Sequence, residues 1–483
     1  MKKVLSIVLT LALLVTLAAC LGGCKKEEKP LRVFIDLGIG VHFLEDDVED
    51  PILREDVHAL LKAMIEDGIP ADTEFEIIPS SGSERSSALT RIRAEMMAGT
   101  GPDVFIVGQS EATDNSNDAL FLMPEKSMSL GLFYPLDDLI ENNTRYMDWN
   151  DLNQTIMAAG YDEEYGQVLI PLGYEMPVTL FLANDVDHTP STEYTWEDAL
   201  NDDTGVLAAA ARTVRTHNCI GSEVLGKLAD YRAKKLTFTE EDLYRIIDEM
   251  TRLDRNLDDN TYKGLPTYCS TVTNSSLAYA YPEGTQYPLY RGDFHGATNF
   301  HEFFNYYNDF LDKANQGSKK SETDVTMVPA YSITGGATAT VRFFAAINAT
   351  TKRPEDAFSV IDCLFNEEYL QERFDFRSDN LRQPWEVYAF MYRNTLPVQN
   401  SLITGETHAV MGPELSEYNA QSLFRATEAI TVVRFADTLE QELNQLLLFG
   451  VLDKLGVLQG EYAKDMDELI PSTYTRMKRE LSE

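Results

Sequence analysis

The chain has 483 residues, enough for two domains or lobes, and it is 44% hydrophobic with 10% aromatic residues, which is ample for buried cores. Its formal net charge is −37. A surface this acidic repels phosphate backbones, so nucleic acid is excluded as a partner and polyanionic ligands are disfavoured unless a local site overrides the field.

The chain opens with Lys2 and Lys3, then an apolar stretch from Val4 to Ala19 interrupted only by Ser6, Thr10 and Thr16. A membrane span needs ~20 apolar residues, so this length and these flanks mark a secretory signal. Two short stretches, "LAAC" ending at Cys20 and "LGGC" ending at Cys24, resemble the bacterial lipobox, in which the cysteine is lipidated and becomes the new N-terminus. The spacing does not choose between Cys20 and Cys24. The charged "KKEEKP" begins directly behind Cys24, which places a lipoprotein signal peptide at 1–23 and a solvated tether at 24–30. A single diacylated cysteine tethers a protein to a surface without spanning the membrane. Beyond this lead the cysteines are Cys219, Cys269 and Cys363, which make no disulfide framework.

"LRVFID" from Leu31 predicts a buried strand ending in the glycine loop "LGIG", "VHALLKAMIEDG" a helix stopped by Gly68, and "EFEIIP" a strand ended by Pro79. In "SSGSERSSALTRIRAEMMAGTGPDVFIVG", Ser81 and Glu84 fit a capping box, and Leu89, Ile92 and Met96 share a helical face. Gly99 and Pro102 end that helix before the buried strand "DVFIV". Strand, helix, strand in this order implies a parallel sheet, whose ligands bind beyond the carboxyl ends of the strands. Those ends are the loops at Asp36 and Gly108. Further on, "YGQVLIPLGYEMPVTLFLAND" gives two apolar runs around "GYEMP", "TWEDAL" starts a helix, and "EEDLYRIIDEMTRL" is amphipathic. "VRFFAAINATTKRPEDAFSVIDCLF" reads as strand, loop and a helix with Pro354 in its first turn, and the chain from Ala429 onward as largely helical.

Familiar catalytic patterns fail one by one. "GIGVHF" lacks the third glycine of a dinucleotide loop, because Phe43 stands there. "GQSEA" follows a strand as a nucleophile elbow does, but "TDNSND" behind it is no amphipathic helix. "HEFFN" at His301 lacks the second histidine of a zincin, and the seven histidines are scattered, so no metal and no cofactor is expected. Adjacent acids such as Asp137/Asp138 and Glu163/Glu164 lie in polar stretches and say nothing about a glycosidase pair. One feature suits a ligand. Tyr279, Tyr281, Tyr287, Tyr290 and Phe294 crowd a short segment, and flat aromatic faces pack against the C–H faces of sugar rings.

The segments together, in order, resemble the extracellular solute-binding proteins of bacterial ABC importers, in the family that includes maltose-binding protein. "AEMMAGTGPDVFIV" resembles the helix–turn–strand segment of that family, and "FYPLDDLI" its leucine–acid segment. "YGQVLIPLGYEMPVTLFLAND" is similar to its strand pair, with Pro171 at the proline and Asn184 at the asparagine. "TWEDAL", "VTMVPAYSITGG", "FFAAINATTKRPEDAFSVIDCLFNEE" and "NTLPVQNSL" follow in family order. Two departures stand out. Gln167 replaces the lysine of the family's turn, and the family's late tryptophan-bearing strand has only "SSLAYAYPEG" near it, which leaves the second lobe's stacking residue undefined.

The resemblance implies an α/β periplasmic-binding-protein-like fold of two lobes joined by crossing strands, with the ligand cleft between them. The N-terminal lobe would take 31–173 and 324–395, and the C-terminal lobe 178–319 and 396–483. It also implies a lipid-anchored receptor on the extracellular face of a bacterial membrane. The receptor would be a monomer without catalysis, capturing a sugar or oligosaccharide for the permease of an ABC transporter. Ligand contacts are expected at Glu175 in the first crossing, at Asp36, Gln109 and Ser110 at strand ends, and at Tyr174, Tyr281 and Tyr331 as stacking faces. The alternatives are the same fold holding a peptide, polyamine or iron complex, a surface glycoside hydrolase, and a receptor that feeds a sensor kinase.

Overall fold

A computed structural model of the chain describes residues 29–36, 64–78, 82–108, 119–184, 186–213, 221–258, 324–366, 396–404, 417–456, 458 and 465–483. In chain order the strands are β1 (Arg32–Asp36), β2 (Glu74–Ile77), β3 (Val104–Gly108), β4 (Tyr161–Asp162), β5 (Gly166–Gln167), β6 (Leu169–Glu175) and β7 (Val178–Leu182). They continue with β8 (Ala229–Asp230), β9 (Lys235–Leu236), β10 (Val325–Pro329), β11 (Ala337–Ile347), β12 (Leu396–Pro397) and β13 (Ile430–Phe435).

The expected parallel unit is present. β1 pairs in parallel with β2 on one side and β3 on the other. The Gly82–Met97 helix carries the chain from the edge strand β2 back over the sheet to β3. Leu89 and Ile92 hold that helix to the core. It stops where Gly99 takes φ +69°, a left-handed conformation natural to glycine, with the Gly99 and Thr100 amides donating to the Met96 and Glu95 carbonyls. The sheet order is β12-β6-β11-β3-β1-β2, with β11 antiparallel to both β3 and β6 and its first half parallel to β13. All eleven residues of β11 are buried, as a strand covered on both faces requires.

A first core fills the space around this sheet. Phe34, Phe105, Phe121 and Phe133 meet edge to face, and Phe344 meets Phe435 likewise at 5.2 Å between ring centres. Such pairs add ~0.5–1.5 kcal/mol each beyond the area they bury. The turn between β4 and β5 is built by Gly166 at φ +79°. A Cβ there would fall 2.1 Å from Asp137 Oδ2, the oxygen that accepts the Gln167 amide at 3.0 Å. Asp137, an exposed acid, is therefore also a turn anchor.

A second, separate core is made by Phe181, Trp196, Leu225, Leu243, Ile246, Ile247, Leu439, Leu443, Leu447 and their neighbours. Its helices begin as their sequences predict. Thr195 and Asp198 cap the Trp196–Asn201 helix reciprocally, and the Glu240–Asp258 helix turns Leu243, Ile246, Ile247, Met250 and Leu253 inward. Two α/β lobes thus stand on two cores. β6 runs out of the first lobe, β7 continues into the second, and β10 returns antiparallel to β7 over five residue pairs.

The stretch after Ala429 is largely helical as expected, in the Thr438–Lys454 and Met466–Ser482 helices, but it opens with a strand, since "ITVVRF" is β-branched and pairs with β11 as β13. The residues from 396 onward also do not go wholly to the second lobe. Leu396, Val398, Ile403, Leu423 and Ala426 pack in the first core, because β12 adds to the edge of β6, while Leu439 to Leu481 pack in the second.

Candidate functional site

The crossing from β6 to β7 is Glu175-Met176-Pro177. Pro177 has no amide to donate, so it interrupts the ladder, and its carbonyl accepts from Ala330 N of the returning strand at 3.1 Å. At this point the chain buries charge. Glu175 is 1% exposed, and its Oε1 accepts from Nε of Arg342 on β11. The other two guanidinium nitrogens of Arg342 donate to both oxygens of Glu440 at 3.1 Å, a two-pronged grip that only arginine offers.

Glu440 lies in the first turn of the Thr438–Lys454 helix, whose N-cap Asp437 accepts the Glu440 amide at 2.8 Å. Arg434 on β13 approaches the same Glu440 at 3.5 Å and stands 3.5 Å from Glu223. It also donates to the Ser222 and Gly226 carbonyls at 3.0 Å and to Ser222 Oγ at 2.6 Å. A continuous buried ionic network thus runs from the crossing strand of the first lobe to a helix start and a turn of the second. Removing one partner of such a network strands a buried charge, at a cost of ~3–5 kcal/mol.

The other expected ligand residues are placed as follows. Asp36 ends β1 at 0% exposure, and Arg85 of the Gly82–Met97 helix reaches back to it with both nitrogens, at 2.6 and 2.9 Å. Tyr174 is fully enclosed, and burial raises its phenol well above the ordinary range. Tyr331 follows β10 at 2% exposure. Its hydroxyl bonds His188 Nε2 at 3.0 Å, and its ring tilts against Tyr194 at 5.3 Å. Burial raises the Tyr331 phenol and lowers the His188 imidazole, so the contact joins two neutral groups at neutral pH.

Gly336, at φ +68°, closes the turn behind this aromatic trio, and its amide donates to the Tyr194 carbonyl at 2.7 Å. A Cβ on Gly336 would sit 2.3 Å from Thr431, so glycine is required there. Gln109, Ser110, Tyr281, Cys20 and Cys24 lie outside the described residues. The structure therefore brings Glu175 to the hinge but gives its carboxylate to Arg342, and it places Asp36, Tyr174 and Tyr331 in the interior.

Arg342, Arg434, Glu440 and Arg85 were not singled out from sequence. The signal was available: "ATVRFFAAI" and "ITVVRFA" each set one arginine inside an apolar strand, and a buried guanidinium demands a carboxylate partner. Among the described residues, no group of three or more His, Cys, Asp or Glu is placed to hold a metal, and no helix is long and apolar enough to cross a membrane.

Fold and crossing together define a two-lobed α/β protein. Solved structures similar to this chain include an ABC substrate-binding protein from Listeria monocytogenes in complex with cycloalternan, 13% identical, covering 94% of this chain and 98% of that one, with a TM-score of 0.41. They also include an extracellular solute-binding protein family 1 member from Alicyclobacillus acidocaldarius, 12% identical over 95% and 100%, with a TM-score of 0.47. A de novo designed esterase improved by directed evolution is similar to the same degree, 14% identical over 93% and 98%, with a TM-score of 0.47. No family model matches the chain, and no curated protein sequence matches it. Likenesses this distant carry no ligand or activity across to it.

Proposed function

We propose that the chain is a receptor that captures a sugar or oligosaccharide outside the cell and delivers it to an ABC transporter permease. The observation that carries this reading is the crossing: two closed cores are joined by the β6–β7 and β10–β11 strands, with an ionic network sealed at the junction. Such a molecule has one soft motion, the rotation of one lobe on the other, and a ligand that touches both lobes biases it. The family segments in their family order support the same reading, as do the lipobox-like stretches for attachment through Cys20 or Cys24 to the bacterial cell surface.

The receptor acts as a monomer and leaves its solute intact. Asp36 and Glu175, the acids nearest the expected contacts, are each committed to a buried arginine, which suits a scaffold better than general acid–base work. Gln109, Ser110 and Tyr281 then remain the proposed ligand contacts. Mass spectrometry of small molecules released on denaturing the purified chain, followed by a thermal-shift panel of oligosaccharides, peptides and polyamines, tests the proposal. A sugar that raises the melting temperature supports it. A shift confined to peptides or polyamines, or release of reducing ends above a denatured control, overturns it.

A further inference from the structure

Away from the crossing, Arg232 of the second lobe reaches over to the first. It sits in the turn between β8 and β9, whose Ala229, Tyr231 and Leu236 pack in the second core. Its guanidinium donates to both oxygens of Asp162 at 2.8 Å and to Glu164 Oε2 at 2.7 Å, on the β4–β5 hairpin of the first lobe. Both mounts are stiff. On the hairpin, Asp162 Oδ1 also accepts the Glu164 and Tyr165 amides at 2.9 and 3.2 Å, and Asp137 holds the Gln167 amide at 3.0 Å. On the facing turn, Asp230 accepts the Ala233 amide at 2.8 Å, Lys234 Nζ donates to the Ser482 carbonyl at 3.0 Å, and the Tyr231 hydroxyl donates to Asp437.

The place of this bridge gives it leverage. The hairpin leads into β6 at Leu169, the end of that strand farthest from the crossing at Glu175. At ~3.3 Å per residue, Leu169 lies ~20 Å from Glu175. A lobe rotation of ~10° about the crossing displaces a point on such an arm by ~3.5 Å. That is enough to carry contacts of 2.7–2.8 Å beyond the ~4 Å reach of an ion pair. The Glu175–Arg342–Glu440 network lies at the crossing itself, where the same rotation moves atoms little. We propose that Arg232, Asp162 and Glu164 form an ion-pair latch that holds the two lobes of the unliganded chain in one relative position, so that rotation of the lobes must break it. The inference deepens the two-lobed receptor reading and rests on it for the meaning of the lobe motion.

The chemistry suits a contact that opens and closes. A guanidinium offers its donors in one plane, so a single arginine takes two carboxylates at once and the bridge has a defined geometry. Asp162 is buried and stays on the hairpin through its two turn amides, while Arg232 and Glu164 are exposed. When the bridge opens, water therefore reaches the guanidinium and Glu164, and no bare charge is left in either core. Exposure also makes the latch sensitive to salt, since screening at ~1 M acts within ~3 Å. Arg245 provides an internal comparison. It is an equally exposed arginine of the second lobe, but its partners Asp242 and Glu249 lie on its own helix.

The test is small-angle scattering of the full chain without added solute, at ~0.05 M and ~1 M sodium chloride. Wild type, Arg232→Gln, Glu164→Gln and Arg245→Gln are compared, with far-UV circular dichroism confirming that each is folded. We expect Arg232→Gln at low salt to broaden the distribution of interatomic distances and shift the radius of gyration, as the lobes sample more orientations. Glu164→Gln, which leaves the Asp162 half of the bridge, should shift it less in the same direction. It also tests the latch from the other side should Arg232→Gln not fold. Arg245→Gln changes the net charge by the same amount as Arg232→Gln and should leave the low-salt profile of the wild type unchanged. High salt should bring the wild type towards the Arg232→Gln profile. The proposal is overturned if the folded Arg232→Gln and Glu164→Gln chains scatter as the wild type does, or if Arg245→Gln shifts the profile as much as Arg232→Gln, which would mark general charge repulsion. No arm uses a sugar, so failure of the receptor reading and failure of the latch are separate results.

Discussion

Arg342 carries more of the interlobe junction than any single acid, because its three guanidinium nitrogens serve Glu175 and Glu440 together. Replacing it with methionine keeps most of the bulk but leaves two buried carboxylates facing each other. We expect Arg342→Met to lower unfolding free energy by ~3–5 kcal/mol in denaturant titration. Adding Glu175→Gln should recover part of that loss, and a cycle with no coupling would contradict the network.

Glu125 makes a prediction of opposite sign. The folded chain holds a proton there up to about 7, whereas the unfolded chain releases it near 4.5. Stability from this group is therefore full below the unfolded value and lost as pH rises towards the folded one. At ~1.4 kcal/mol per pKa unit the loss is on the order of 3 kcal/mol. Glu125→Gln should raise the denaturation midpoint at about pH 8 and leave it unchanged at about pH 4.

Cys363, buried beside Asp362, has its thiol pushed up to about 12 by burial first and by that carboxylate second. It should resist alkylation in the native chain at about pH 8 and react once denaturant is added, as read by peptide mass spectrometry.

At the scale of elements, local chemistry decides most boundaries. The Thr195–Asp198 box starts one helix, Pro354 sits in the first turn of another, and Gly99 closes a third. Thr195→Ala should cost ~1 kcal/mol, measured as a shift in denaturation midpoint. Most of this was legible in the sequence, because caps, turns and apolar periods act within a few residues. The strand β13 was not, because "ITVVRF" lies between two helices and takes its state from pairing with β11 far away in the chain. The same holds for the acids. Position in the resemblance marked Glu175 and Asp36, but what a carboxylate does depends on its spatial partner, and Arg342 lies 167 residues from Glu175. A contact across that separation leaves no periodic trace. Only the oddity of an arginine within an apolar strand points to it.

On the whole-molecule scale, two cores joined by crossing strands make relative lobe rotation the motion that costs least, since each core moves as a packed unit. The buried network at Glu175 and the Arg232 bridge to Asp162 and Glu164 set the rest position of that motion. The most direct test of the receptor account is small-angle scattering of the full chain titrated with a panel of neutral and acidic oligosaccharides. The account predicts that at least one member reduces the radius of gyration saturably, with a matching rise in melting temperature. A profile unchanged across the whole panel, with no thermal shift, would contradict it.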